Sequence, residues 1–179
     1  TMYFGGGQSG AVGSAFTRNG LAFAYAFQVT QTGNQDSIRV THIGGTGIFV
    51  LVWCNFANNA VEISGLGLDP GQAPATNVFN IAGPGNVDTP AVSGEATPYG
   101  GNCLVIWNDA QYGIVGSTVA VDANLQVALG PFVTIGGGPT AVEPAISKQG
   151  GYYGYHVITW IDRPAGLPGW VRAQVVDYN

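Results

Sequence analysis

Apolar side chains recur at every second position in short runs along this chain, and turn-forming residues separate the runs. A period of two places alternate residues on opposite faces of an extended backbone, so the pattern predicts β-strands. Three runs share one form: Phe49-Val50-Leu51-Val52-Trp53-Cys54-Asn55, Cys103-Leu104-Val105-Ile106-Trp107-Asn108-Asp109 and His156-Val157-Ile158-Thr159-Trp160-Ile161-Asp162. Each reaches a Trp, with Asn or Asp two residues later. The tryptophans stand 54 and 53 residues apart. A fixed period in this range marks a repeat architecture.

The repeat extends on both sides of the Trp run. A strand containing Ile38-Arg39-Val40, Pro90-Ala91-Val92 or Pro144-Ala145-Ile146 leads into it. A third strand follows at residues 61–68, 114–121 and 170–176, with a further copy at 12–17. The third strands run into Asp69-Pro70-Gly71, Asp122-Ala123-Asn124, Asp177-Tyr178-Asn179 and Arg18-Asn19-Gly20. Asp and Asn bond their own backbone in such turns, and Gly tolerates positive φ. A fourth strand holds Phe27-Gln28-Val29, Phe79-Asn80-Ile81 and Phe132-Val133-Thr134-Ile135, and Gly-rich loops come next. Four short strands per ~53 residues predict an all-β fold, a propeller-like array of three four-stranded blades. A blade sheet has two apolar faces, so blades must pack face to face. The alternative fold is a β-sandwich with a donated strand. The predicted organisation is a flexible N-terminal arm over 1–10 and one domain over 11–179, with blade repeats at roughly 11–60, 61–113 and 114–179.

The Asn102–Asp109 and Tyr155–Asp162 cores resemble repeats of large bacterial extracellular β-propeller proteins of the "LVVW-x-D" type. In that family a Pro-Ala-Val-Ala strand leads into the Trp strand, and an "I-x-A-x-x-V" strand and an acidic turn follow. Pro144-Ala145-Ile146 and Val171-Arg172-Ala173-Gln174-Val175-Val176-Asp177 match it. The likeness covers residues 36–179, and 11–35 more weakly. Ile38 departs from the family's Pro and Arg18-Asn19-Gly20 from its acidic turn. The resemblance implies a propeller fold and an extracellular setting, and it assigns no activity.

The repeat begins and ends out of phase with a blade: residues 11–30 supply outer strands, and residues 141–176 supply inner strands plus one more. Three blades are too few for a ring, since natural propellers have about four to eight. Unpaired edge strands template association. The expectation is therefore a homo-oligomer, either a ring of two protomers or an open filament.

Composition narrows the function. Of 179 residues 46% are hydrophobic, which supports a core, but only 8% are charged, against a usual ~25%. The net charge is −5, and the five bases (Arg18, Arg39, Lys148, Arg163, Arg172) are scattered. Without a basic stripe, nucleic-acid binding has no electrostatic support. No run approaches the ~20 apolar residues that span a bilayer. No basic segment precedes an apolar one at the start, so a signal peptide is expected to be absent or removed. A neutral polar surface suits a secreted or assembling protein. Cys54 and Cys103 sit on opposite sides of their strands relative to the Trp, which argues for two buried thiols over a bridge.

No motif names a reaction. There is no Gly-x-Ser-x-Gly elbow, no Cys-x-x-Cys and no His pair at metal-ligand spacing, the imidazoles being His42 and His156 alone. Gly5-Gly6-Gly7-Gln8-Ser9-Gly10 lacks the Lys of a phosphate loop. A glycosidase needs two converging carboxylates, whereas most acids here fall at repeat-equivalent turns. No cofactor or metal is expected. The repeat tryptophans are read as packing between blades. Asn55, Asp109 and Asp162 are candidate ligand-binding residues, with turn hydrogen bonding as the competing role. Trp170, after Pro168-Gly169 and off the repeat position, is the best candidate for an exposed contact. The sequence thus points to a non-catalytic, secreted module that self-assembles. A carbohydrate-binding lectin is second, and a propeller-type glycoside hydrolase third.

Overall fold

A computed structural model describes residues 12–13, 27–28, 34–57, 60–68, 76–95, 101–148 and 154–177. The predicted arm over 1–10 and the turns Arg18-Asn19-Gly20 and Asp69-Pro70-Gly71 lie outside the described residues, as do Tyr178 and Asn179. The described residues form an all-β structure with one 3-10 turn, Gly138–Thr140. Two short strands, β1 (Val12–Gly13) and β2 (Phe27–Gln28), pair with each other. One sheet then has the order β3 (Asn34–Ile43), β4 (Ile48–Ala57), β5 (Ala60–Leu68) and β6 (Phe79–Gly85). The next contains β7 (Val87–Glu95), β8 (Asn102–Asp109) and β9 (Gly113–Val121), with both β10 (Val127–Leu129) and β11 (Val133–Gly137) along the far side of β9. The last is β12 (Ala141–Ile146), β13 (Tyr155–Asp162) and β14 (Trp170–Asp177). Every pairing is antiparallel.

The sheets follow the repeat. The leading strands become β3, β7 and β12, the Trp strands β4, β8 and β13, and the third strands β5, β9 and β14. The sheets stack face to face. Val50, Val52 and Cys54 of β4 meet Cys103, Val105 and Trp107 of β8 in one apolar layer. Leu104 and Ile106, on the other side of β8, meet Ile158 and Trp160 of β13 in the next. Trp53, Leu51 and Leu66 form a third cluster on the outer side of the first sheet. Trp53 and Trp107 are each 1% exposed and Trp160 is 7% exposed. Burying a Trp removes roughly 150–250 Å² from water, about 4–6 kcal/mol at ~25 cal/mol/Å². The indole Nε1 of each repeat Trp has no hydrogen-bond partner among the described residues. An unpaired buried donor costs about 1–3 kcal/mol, so burial prevails and the tryptophans serve as core.

A second repeated feature was not visible in the alternation. In β3 the register passes from Asp36↔Cys54 to Arg39↔Val52, leaving Ser37 and Ile38 opposite Trp53. In β7 it passes from Asp88↔Asn108 to Ala91↔Ile106, leaving Thr89 and Pro90 opposite Trp107. In β12 it passes from Val142↔Ile161 to Ala145↔Thr159, leaving Glu143 and Pro144 opposite Trp160. Each leading strand therefore bulges opposite its Trp. The first bulge residue has positive φ every time: Ser37 at 56°, Thr89 at 49° and Glu143 at 54°. Left-handed backbone costs a non-Gly residue about 1–2 kcal/mol, and a bulge sharpens the local twist. Asp88 Oδ1 accepts the Thr89 N–H at 2.6 Å, which supports the strained turn.

The residue after the Trp links each sheet to the next. Cys54 Sγ–H donates to Asp88 Oδ1 of β7 at 3.7 Å. Asn108 Nδ2–H donates to the Ala141 carbonyl of β12. The leading strands are the near neighbours across the layers, with β7 between β3 and β12. Gly94 of β7 is required by one such approach: a Cβ there would lie 1.8 Å from the Lys148 carbonyl oxygen. Lys148 Nζ also donates to the Val92 carbonyl at 2.8 Å. Both cysteines are buried thiols. They share one apolar layer, because opposite sides of successive sheets face each other.

Thr89 is β-branched and holds φ at 49°, where such a residue is a steric outlier. Thr89→Gly is expected to stabilise the fold by about 1 kcal/mol, the relief of strain exceeding the added entropy of the unfolded chain. Urea unfolding checks this, and a lower midpoint would show that the bulge is not strained.

Candidate functional site

The ends of the Trp strands and the links between sheets lie at one end of the stack, where Val87 pairs with Asp109 and Ala141 with Asp162. The sequence-predicted residues Asn55, Asp109 and Asp162 all lie there, at the ends of β4, β8 and β13. They differ in what they touch.

Asp109 is a turn residue. Its Oδ1 accepts the backbone N–H groups of Gln111 at 2.8 Å and Tyr112 at 3.0 Å, closing the loop into β9. Asp122 repeats the device in the turn after β9, accepting from Asn124 and Gln126 at 2.8 Å each. A short Asx side chain satisfies backbone donors that a tight turn would leave unpaired. Asp109 also borders a shallow pocket of about 370 Å³ beside Gly83, Pro84 and Asn86. Asn55 is half-buried, and its Oδ1 has no hydrogen-bond partner among the described residues.

Asp162 belongs to a different arrangement. It pairs across the ladder with Trp170, so the two side chains share a face. Its Oδ1 accepts from Thr140 Oγ1 at 2.5 Å, and Arg172 Nε lies 3.7 Å from its Oδ2. The Arg172 guanidinium sits over the Trp170 ring, 5.8 Å from its centroid. Beside them Arg163 donates to Glu143 at 2.7 Å. Both of those side chains are more than half exposed, so that pair adds little stability. Trp170 is 47% exposed. The fold thus joins two of the four predicted residues, Asp162 and Trp170, into one polar corner with an open indole. It keeps Asp109 and Asn55 apart from that corner. Arg172 and Thr140 belong to the corner and were missed, because only the seven-residue loop Arg163–Gly169 brings β14 back to Asp162.

Among the described residues burial shifts three titratable groups, Cys103, Lys148 and His156. Among the described residues no three His, Cys, Asp or Glu side chains are grouped to hold a metal ion. Burial pushes the Cys103 thiol up to about 12, partly opposed by the charge of Lys148. Such a thiol is a poor nucleophile. Burial also holds His156 below the usual imidazole range, against the opposing effect of its Ser147 contact. The Ser147 Oγ lies 3.3 Å from His156 Nδ1. No helix among the described residues is long and apolar enough to cross a membrane. No family profile, curated protein or solved structure matches the chain.

Asp109→Ala is expected to cost about 1–2 kcal/mol in chemical denaturation, since two backbone donors lose their acceptor. Asp109→Asn should retain much of that, as Asn serves the same turns. Equal losses would remove the turn role. The His156 effect has a definite sign. Its folded pKa is depressed, so the unfolded chain takes up the proton first as pH falls. Stability is expected to be undiminished by this group above about pH 6.5 and to decline below it. Thermal unfolding at pH 7.5 and 5.5 should show a smaller decline in His156→Gln than in the parent protein.

Proposed function

We propose that the chain is a non-catalytic extracellular structural or recognition module, a propeller-like array of blades that self-assembles through an incomplete one. The observation that carries this reading is the state of the last sheet. The first two sheets place strands beyond β5 and β9, while β14 carries none among the described residues. The side of that sheet turned away from the stack exposes Tyr155 (50%), Val157 (46%), Val175 (62%) and Val171 (78%). The corresponding sides of the first two sheets are covered by Trp107 and Trp160. An apolar sheet side of this kind marks an interaction surface. The propeller reading draws support from the recurrent Trp and bulge, the close leading strands, and the resemblance to bacterial extracellular repeat proteins of the "LVVW-x-D" type. A ring and a filament both satisfy it.

The second reading, a carbohydrate-binding lectin, draws on Trp170. A half-exposed indole beside Arg172 and Asp162 combines a flat apolar platform with polar groups at its margin.

Light scattering over a range of concentrations tests the first reading. A mass above the 18.4 kDa of one chain is expected, and Val171→Lys with Val175→Lys should return it to that of a single chain. A parent protein that stays monomeric at high concentration removes the assembly reading. A glycan array run with the parent and Trp170→Ala decides the lectin reading, which requires binding that the variant loses.

A further inference from the structure

The assembly reading leaves the chemistry of the missing contact unspecified, and the repeat itself supplies it. The third strand of each complete sheet carries a small residue beside its Trp partner. Gly65 of β5 faces Val52, and Gly116 of β9 faces Ile106. Both lie under apolar side chains of the fourth strand. A Cβ at Gly65 would fall 2.4 Å from the Phe79 ring and 3.1 Å from Ile81, and one at Gly116 would fall 3.2 Å from Ile135. The matching position in β14 is Ala173, opposite Thr159. It is again small, and it is exposed. Its neighbours on that side are Val171 and Val175, two of the most exposed apolar side chains in the molecule.

Among the described residues no strand covers the other side of the same edge either. Between β11 and β14 runs a groove of about 610 Å³ lined by Leu104, Thr118, Val133, Ile135, Gln174 and Val176. A strand laid along β14 would cover Ala173, Val171 and Val175 with one set of alternate side chains. The other set would enter the groove. Both β6 and β11 run antiparallel to the third strands they cover.

Resting on the assembly reading, we propose that the outer edge of β14 is a strand-acceptor site. It takes an extended antiparallel segment of a partner polypeptide with a large apolar residue at alternate positions, of the Phe79-Asn80-Ile81 kind. Backbone hydrogen bonds supply general affinity, and the Ala173 seat and the groove supply selectivity. The large residue sits on Ala173 as Phe79 sits on Gly65.

The experiment uses the whole chain and a fluorescein-labelled peptide of the sequence Val78–Gly85. Anisotropy is expected to show saturable binding, at least tenfold weaker for the peptide carrying F79D and I81D. The protein variant Ala173→Glu, altered at an exposed position, should lose the parent peptide by a similar factor. Circular dichroism shows whether that variant keeps its fold. Peptide that converts an oligomer to single chains also supports the site and makes a second copy its natural occupant. Equal binding of both peptides, or an oligomer that neither the peptide nor Ala173→Glu disturbs, overturns the proposal and leaves assembly standing. A protein that is monomeric yet binds the peptide at Ala173 does the reverse.

Discussion

The packing of Trp107 and Trp160 each onto the preceding sheet is the interaction on which the rest of this structure depends. Each sheet of the stack has two apolar faces, and neither is covered from within its own sheet. Trp107 fills the space against β4, and Trp160 fills the space against β8. The unpaired indole N–H is tolerated because the buried ring area outweighs it. Two devices keep the contact in register. The leading strand bulges opposite each Trp, and the next residue, Cys54 or Asn108, reaches the leading strand of the following sheet. The positive-φ residues Ser37, Thr89 and Glu143 are strain spread over all three sheets, which makes them part of the architecture and not the mark of a single site.

The same logic explains why the polar end of the stack divides into unlike parts. Asp109 and Asp162 hold equivalent places in the repeat, yet the loops that follow them differ. Ala110–Tyr112 is short enough for Asp109 to close it alone. Arg163–Gly169 is longer and leads to Trp170, whose ladder position beside Asp162 draws Arg172 into the corner. Identical side chains at equivalent positions therefore take a turn role in one sheet and join a charged, half-open corner in another.

Much of the fold was legible in the chain. The Trp strands predicted at 49–55, 103–109 and 156–162 are β4, β8 and β13, each extended by a residue or more. The third strands predicted at 61–68, 114–121 and 170–176 are β5, β9 and β14, the copy predicted at 12–17 is described only at Val12–Gly13, and the Asp122 turn falls where turn chemistry puts it. The bulges were not legible, because Ser-Ile, Thr-Pro and Glu-Pro carry no common signal for left-handed backbone. The break in the fourth strand between β10 and β11 was also missed. It arises where Gly130 turns its N–H to the Thr118 carbonyl and its own carbonyl to Ser117 Oγ. At the site, Trp170 was singled out for standing off the repeat, and its neighbours Arg172 and Thr140 were not.

By itself the sequence determined the strand type and the repeat period, because alternation and a recurrent Trp are local properties of the chain. Only the tertiary structure decided which sheet side meets which, and so placed Cys54 and Cys103 in one layer although they lie on opposite sides of their own strands. It alone decided that Asp162, Trp170 and Arg172 meet, since a ladder pairing across a seven-residue loop depends on register. It alone showed that, among the described residues, no strand covers the edge of β14 at Ala173 while Gly65 and Gly116 are covered. Coverage of a surface is a relation between distant segments, and no local pattern encodes it.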